Sequence, residues 1–193
     1  MYLSAQTYFM KPLSLLSLVL FILVSHSLYS QSLSPKKKGS LIGFAANLTD
    51  FQTANNIKNS GFGDVLKGEW GKIKDMDPGF SLMYWRGITN HLDVSGRYNM
   101  LITDYRKGGD RAAFTNELEA SAHLRALTDN HVVNPFLTAG IGVGNYGHRW
   151  APYSPLGIGV QFNLKNTTYL FLQGHYRVSY KTSAADNNLF YSF

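Results

Sequence analysis

The sequence predicts an all-β fold, an antiparallel up-and-down eight-stranded transmembrane β-barrel whose last strand is short or truncated. Three observations predict it: apolar and polar residues alternate along several segments, these segments are long, and short connections between them alternate with long ones. Soluble strands usually have about five or six residues. A tilted strand that crosses a membrane needs about 9–11 residues. The length of the segments therefore favours a membrane barrel over a soluble sandwich.

The alternation is regular in five segments and less regular in two. The regular segments are residues 92–102, 114–126, 133–143, 156–164 and 170–180, the less regular ones are 40–48 and 79–88, and an eighth segment begins at Leu189. Successive side chains of a strand point to opposite faces of the sheet. Each segment should therefore turn its apolar face to lipid and its polar face to the lumen of a barrel.

The connections between these segments fall into two classes. The short ones are Thr89-Asn90, Thr128-Asp129-Asn130 and the neighbourhood of Asn166, and Asn and Asp tolerate the backbone angles of tight turns. The long ones cover residues 49–77, 104–111, 145–153 and 181–188. Outer-membrane barrels have short periplasmic turns and longer outer loops. A soluble meander has no physical reason for this asymmetry.

Aromatic residues lie near many of the predicted strand ends. The chain has 12 Tyr and 3 Trp, and both residue types prefer the interface between hydrocarbon and water. A β-rich protein is commonly rich in aromatics, so this observation only supports the other three. The residues expected to form the interfacial belt are Tyr84, Trp85, Tyr105, Tyr146, Trp150, Tyr153, Tyr169, Tyr180 and Tyr191.

The N-terminal segment has the order of a secretory signal. An uncharged apolar run, Leu13 to Val24, follows Lys11 and precedes small and polar residues. The run is shorter than the roughly 20 residues of a transmembrane helix, which disfavours a membrane anchor. The sequence predicts a cleaved export signal over residues 1–30, a basic linker over 31–39 with Lys36, Lys37 and Lys38 in solvent, and a barrel over 40–193.

Composition excludes several other classes of protein. After the signal there is no long apolar run, which excludes helical membrane spans. The mean hydropathy of −0.14 suits strands in which an apolar face and a polar face average to a value near zero. The net charge of +6 is mild and only one basic run is present, so no nucleic-acid partner is expected. The chain has no cysteine, so it has neither disulfides nor a lipid anchor on that residue.

The inward face carries balanced charges. The interior of an eight-stranded barrel is just filled by side chains, and a buried charge is costly unless it is paired. If the third and fourth strands form a hairpin centred between Lys107 and Gly108, Arg97 lies opposite Leu118 and between Glu117 and Glu119. We expect Arg97 to bridge these glutamates within a structural ion-pair network. The network consists of Asp93, Arg97, Glu117, Glu119, Arg125 and Arg177, with His123 and His175 as lumen histidines.

Catalytic and ligand-binding interpretations of these residues are weaker. A carboxylate pair can act as acid and base, but inward polar residues are normal in such barrels. No ligand spacing accompanies His123 or His175, so neither a metal nor a cofactor is expected. The inward glycines precede no helix or lysine, unlike a phosphate-binding loop, and are expected to make room for Arg, His and Phe side chains. They are Gly140, Gly142, Gly144, Gly157 and Gly159.

Three stretches resemble the N-terminal barrel of outer-membrane protein A-type proteins: GSLIGFAANLTDF, DPGFSLMYWRGITNHLDVSGRYN and NNLFYSF. The resemblance implies a non-enzymatic, structural or anchoring role in the outer membrane of a Gram-negative bacterium. The implied partners are outer-membrane lipid, lipopolysaccharide and the barrel assembly machinery, with peptidoglycan only if a C-terminal domain missing from this sequence exists. The segment from Asn188 to Phe193 is too short to span, which favours truncation over a terminal aromatic at Phe193.

Three alternative functions remain open. A lipid-modifying barrel enzyme would need a Ser/His pair, for which Ser179 with His175 or His148 is the best candidate. A small pore or a transporter of hydrophobic ligands is favoured by the inward glycines. A soluble, lipocalin-like barrel would place Leu92, Val94 and Tyr98 inside and Arg97 outside.

Overall fold

A computed structural model describes residues 38–102, 106–107, 110–111, 114–146, 149–165, 168–181 and 185–193. They belong to one compact unit, Pro35–Phe193. The export signal predicted over residues 1–30, together with Lys36 and Lys37, lies outside the described residues.

Eight antiparallel strands form a closed barrel in which each strand pairs with its neighbours in sequence and the last pairs with the first. This confirms the predicted all-β fold, an antiparallel up-and-down barrel of eight strands with a short last strand. A pair of two-residue strands, Arg106–Lys107 and Asp110–Arg111, lies in the connection between the third and fourth strands. The barrel strands are β1 (Leu41–Asp50), β2 (Asp77–Gly87), β3 (Leu92–Leu101), β4 (Thr115–Arg125), β5 (Val133–Tyr146), β6 (Arg149–Lys165), β7 (Thr168–Ser179) and β8 (Asn188–Ser192).

The first long connection contains helices that the sequence pattern does not predict. Helix α1 (Phe51–Ser60) begins directly after β1, where the side chain of Asp50 accepts a 2.8 Å hydrogen bond from the backbone N–H of Thr53. It ends at Gly61, whose φ of 87° suits glycine. A short helix α2 (Phe62–Asp64), a π-helical turn (Val65–Glu69) and a 3₁₀ turn (Ile73–Asp75) follow.

Among the described residues, none of the helices is long and apolar enough to cross a bilayer.

The two faces of the barrel wall differ sharply in polarity. Arg97 on β3 is 2% exposed, whereas its neighbour Tyr98 is 41% exposed. The same alternation places Ile141 and Leu118 on the outside, at 69% and 61% exposure. The lipocalin-like alternative required the opposite orientation of Arg97 and Tyr98, and the structure contradicts it.

The aromatic residues expected at strand ends do not all face outward. Tyr84, Trp150 and Tyr180 are exposed, but Trp85, Tyr146 and Tyr153 are buried inside the barrel. The expectation of an outer belt is therefore wrong for these three residues. The reason is the period of two, which turns every second residue inward whatever its type. Tyr105 lies outside the described residues.

The register between β3 and β4 differs by one residue from the sequence-based expectation. Arg97 lies opposite Glu119, and Tyr98 lies opposite Leu118. Residues that lie directly opposite each other in an antiparallel pair project to the same face. An inward arginine therefore cannot lie opposite an outward leucine, and the expected pairing of Arg97 with Leu118 is wrong.

Glycines on β5 and β6 accommodate bulky lumen side chains, as expected. A Cβ on Gly142 would lie 2.4 Å from the ring of Tyr153, and one on Gly159 would lie 2.3 Å from the ring of Phe136. A Cβ on Gly157 would lie 2.6 Å from Cδ2 of His175. The nearest side chains to these glycines are therefore Tyr, Phe and His, not the arginines that were also expected.

Candidate functional site in the barrel lumen

All eight predicted lumen residues lie inside the barrel and are at most 3% exposed. They do not form one network. They divide into a cluster near the long connections, a cluster near the short turns, and an aromatic layer between the two. We call the first two the loop-end cluster and the turn-end cluster.

The loop-end cluster is organised by Arg177 on β7. Its Nη1 donates to Oε2 of Glu117 and its Nη2 donates to Oε2 of Glu119, both at 2.8 Å. The hydroxyl of Tyr146 donates to Oε1 of Glu117, and that of Tyr153 lies 3.3 Å from Oε2 of Glu119. One guanidinium therefore holds two buried carboxylates from the facing strand β4. The two tyrosines, together with Asn99 and Ser121, supply further hydrogen bonds to these carboxylates.

Arg97 does not make the predicted bridge. Its Nη2 donates to Oε1 of Gln173 at 3.0 Å, while its Nε and Nη1 have no hydrogen-bond partner in the described part of the chain. Arg177 makes the bridge to Glu117 and Glu119 instead. The register of one hairpin indicates which residues are neighbours along the wall. It contains no information about a side chain that reaches across the lumen from another strand.

The turn-end cluster contains two cations and two carboxylates. Nζ of Lys38 lies 2.7 Å from Oδ2 of Asp93 and 3.6 Å from Oδ1 of Asp129. Arg125 pairs with the same two groups, at 3.1 Å from Asp93 and 2.6 Å from Asp129. Gln161 donates to Oδ1 of Asp129 at 3.0 Å and accepts from Lys38. The charges of this cluster balance within it.

Lys38 is the least expected member of this cluster. The sequence predicts that it lies in a solvated linker, yet it is 3% exposed. Its ammonium lies 5.1 Å from the ring centroid of Tyr169, 5.5 Å from that of Phe171 and 5.6 Å from that of Trp85, distances suited to cation–π attraction. Burial lowers the pKa of Lys38 below its usual value, and the hydrogen bond to Asp93 opposes this effect.

An aromatic layer separates the two clusters. The ring of His123 stacks on Trp85 with the centroids 3.8 Å apart, and Phe171 stacks on Trp85 at 4.4 Å. The two ring nitrogens of His123 lie 2.8 Å from Oγ of Ser95 and 2.9 Å from Oγ1 of Thr138. His123 is thus fully occupied by neighbouring side chains.

The residues considered for catalysis or metal binding are not arranged for either. His175 stacks on Phe190, and neither its ring nitrogens nor Oγ of Ser179 has a hydrogen-bond partner among the described residues. A nucleophile and its base need to lie within hydrogen-bond reach. Ser179 and His175 do not meet this requirement. His148 lies outside the described residues. Over the described ranges, no three His, Asp or Glu side chains are grouped to hold a metal ion.

Sequence reasoning missed several lumen residues. Their positions near predicted strand ends place Tyr146 and Tyr153 in an outer belt, and the sequence places Asp129 in a turn. Had the alternation of β6 been extended back to Arg149, it would have placed Tyr153 on the inward face with Gln161. No sequence signal identifies Lys38, because it precedes the first alternating segment.

No protein-family model matches this sequence, and no curated protein matches it at a significant level. The likeness to outer-membrane protein A-type barrels therefore rests on the fold, an eight-stranded closed antiparallel barrel that is consistent with that type.

Proposed function

We propose that this chain is an integral outer-membrane β-barrel of a Gram-negative bacterium with a structural, anchoring role in the cell envelope. The observation that carries the proposal is the reversal of polarity, in which charged side chains are buried inside and large apolar side chains are exposed outside. Arg177 is 0% exposed and Ile42 is 77% exposed.

The exposed apolar surface is what favours a bilayer as the surrounding medium. Water-soluble monomers rarely expose apolar patches larger than a few hundred Å². Here the outward side chains of neighbouring strands form a continuous apolar wall, which lipid would solvate. Members of this wall are Ile42, Phe44, Leu82, Leu118, Leu137, Ile141, Leu156, Ile158, Leu170 and Leu172.

The filled lumen favours a structural role over transport. The loop-end cluster, the aromatic layer and the turn-end cluster follow one another along the barrel. Four inward cations face four inward carboxylates: Lys38, Arg97, Arg125 and Arg177 against Asp93, Glu117, Glu119 and Asp129. Lys38, Arg125 and Arg177 are paired in close contacts that would plug the lumen, while Arg97, among the described residues, donates only to Gln173. The formal charges of these eight side chains cancel, so together they give no net charge to attract a permeating ion. In the part of the chain that the structure describes, Ser179 and His175 do not form the nucleophile–base pair that an enzymatic role would need.

The partners we propose follow from this location. Outer-membrane lipid and lipopolysaccharide would contact the apolar wall, and the barrel assembly machinery would insert a chain exported by the signal over residues 1–30. Binding of peptidoglycan would require a domain other than this barrel.

Site-directed spin labelling tests the bilayer location. The chain has no cysteine, so each introduced cysteine is the only labelling site. We expect a nitroxide on Ile141→Cys, in the apolar wall, to be relaxed by dissolved oxygen and shielded from a water-soluble nickel complex. The matched control Gln52→Cys, exposed on helix α1, should show the reverse. If nickel reaches both labels equally in reconstituted vesicles, the proposal is wrong.

A further inference from the structure

The first long connection, residues 51–76, folds against the outer side of the barrel wall. The ring of Phe190 on β8 packs on Arg177 in the lumen, so its neighbour Leu189 points outward. Leu189 is nevertheless only 8% exposed, and Asp50, which lies opposite it on β1, is 0% exposed. Helix α1 packs against β8 and covers both residues. The connection therefore lies on the outward face of the β1–β8 pair, at the end that carries the long connections.

The returning half of this connection is fixed at the same place. The backbone N–H of Gly71 donates to Oγ1 of Thr53 at 2.6 Å, and a Cβ on Gly71 would lie only 2.5 Å from Oδ2 of Asp50. The hydroxyl of Tyr191, which faces outward on β8, is buried and lies close to Trp70. The backbone around Trp70 is thus held against the outer side of the wall, and not over the lumen.

Four large apolar side chains of this connection stay exposed. Their exposed fractions lie between 40% for Trp70 and 74% for Ile73, with Phe62 and Leu66 at 56% and 60%. The rings of Phe62 and Trp70 meet edge to face with their centroids 6.4 Å apart, and Leu66 lies four residues after Phe62, on the same side of a helical backbone. We call these four residues the connection patch. Exposed apolar groups of this kind mark sites of contact with a protein or a membrane.

We propose that the connection patch docks into the outer leaflet, at the boundary between lipid headgroups and acyl chains. The patch continues the apolar wall, because Trp70 lies against the outward side of β8. A bilayer around the wall would therefore also surround the patch, at the level of the long connections. The inference rests on the bilayer location proposed above and adds to it that this connection is a lipid-binding segment and not a loop in water.

Lysines flank the connection patch. Lys67 lies within it, Lys72 and Lys74 lie on either side of Ile73, and all three lysines are exposed. In segments that lie in a membrane interface, lysine stems run along the apolar surface and their ammonium groups reach the lipid phosphates. Residues 51–76 carry four lysines and three acids, so this match depends on where the lysines lie and not on net charge.

Spin labelling in vesicles of phosphatidylethanolamine and phosphatidylglycerol tests this contact. Single cysteines replace exposed residues of the patch, in Leu66→Cys and Ile73→Cys. We expect oxygen to relax both nitroxides more than the nickel complex does, at a depth of about 5–10 Å into the boundary between headgroups and acyl chains. The label on Ile141→Cys should lie deeper. The matched control is Gln52→Cys, which belongs to the same connection and should report water.

Charge reversal tests the lysines separately. Lys72→Glu combined with Lys74→Glu places carboxylates beside the phosphates, so the Leu66→Cys label should shift towards water and become more accessible to nickel. The same change at two other exposed lysines, Lys58→Glu with Lys181→Glu, should leave the depth of that label unchanged. An equal shift for both pairs, or no shift for Lys72 and Lys74, would overturn the phosphate contact.

Two results would overturn the docking into lipid. One is nickel access to both patch labels equal to that of Gln52→Cys while the Ile141→Cys label stays in hydrocarbon, which would place the patch in water and leave the proposed location intact. The other is dipolar broadening between patch labels that grows with the protein-to-lipid ratio, which would show a second copy on the patch. Nickel access to Ile141→Cys would instead contradict the proposed location itself, and with it this inference.

Discussion

At the scale of single residues, the lumen shows that proximity along the wall and partnership across the lumen are different properties. Arg97 lies opposite Glu119 in the ladder, yet Arg177 from β7 makes both short contacts to the glutamates. A planar guanidinium can hold two carboxylates when its approach suits both. The approach of Arg177 is fixed by Phe190, whose ring centroid lies 3.5 Å from its guanidinium carbon.

Replacing Arg177 should be far more damaging than replacing Arg97. Arg177→Met leaves Glu117 and Glu119 buried without their cation, and breaking a buried pair in this way costs about 3–5 kcal/mol. Arg97→Met removes one hydrogen bond to Gln173 and should cost about 1–3 kcal/mol. Urea unfolding in lipid vesicles measures both. Equal losses, or a larger loss for Arg97→Met, would contradict the assignment of Arg177 as the central cation.

A glycine facing Tyr153 gives a second test at this scale. Gly142→Ala would place a Cβ 2.4 Å from the Tyr153 ring, and overpacking of this kind costs about 1–3 kcal/mol. Gly96→Ala is the matched control, because nothing lies within 4 Å of its Cβ position. We expect it to leave the free energy of unfolding unchanged or slightly raised. In a Tyr153→Leu background, which already lacks the ring and its hydrogen bonds to the glutamates, Gly142→Ala should cost much less. An equal cost in both backgrounds would mean that the ring is not what excludes a Cβ.

At the scale of elements, the strands were predictable because alternation is a local property of the sequence. Segment 92–102 corresponds to β3 and segment 114–126 to β4, with ends that differ by one residue. The pattern failed at β6, expected over 156–164 but beginning at Arg149, because Pro152 and Pro155 interrupt the alternation. Helix α1 was missed because its sequence lies in a polar connection and is fixed locally by the cap at Asp50.

In the segment before β1, Lys38 is expected to stabilise the barrel through its buried ammonium. Lys38→Met removes the contacts of a buried ammonium with Asp93 and Asp129. Arg125 and the indole N–H of Trp85 still hold Asp93, so we expect a moderate loss of about 1–3 kcal/mol. Lys58→Met, at an exposed position on helix α1, should change the free energy of unfolding by less than about 0.5 kcal/mol. If the two variants behave alike in urea unfolding, Lys38 is solvated as the sequence suggested.

At the scale of the whole molecule, the order of the strands follows from the short and long connections, but the filling of the lumen does not. The clusters join residues far apart in sequence, such as Lys38 with Gln161 and Arg177 with Glu117. Such contacts exist only once the barrel is closed, so no single hairpin predicts them. The balanced charge of the inward residues predicts that an ion-pair network forms. Only the closed barrel determines which of these side chains pair.

The proposed plug of the lumen predicts an electrically silent barrel. Two ion-pair clusters and an aromatic layer lie in series, so an ion would have to displace buried contacts at each level. We expect the protein to produce no discrete conductance steps in a planar bilayer. The double variant Lys38→Ala with Arg125→Ala, which removes both cations of the turn-end cluster, should also stay silent while the loop-end cluster remains. Regular steps from the unmodified protein would favour the small-pore alternative.

The free-energy cost of placing a charge in the apolar wall depends on whether lipid or water surrounds the barrel. Ile141 lies opposite Ala120, near the middle of β4, and is 69% exposed. An arginine on the lipid face near the bilayer midplane costs about 2–4 kcal/mol, and one near the interface about 0–1 kcal/mol. We therefore expect Ile141→Arg to destabilise the barrel in vesicles by several times more than Ile88→Arg, at the turn between β2 and β3. On a water-exposed surface both substitutions would stay within about 0.5 kcal/mol. Equally small losses would thus place the wall in water, whereas a loss that grows towards the middle of the strands requires hydrocarbon around them.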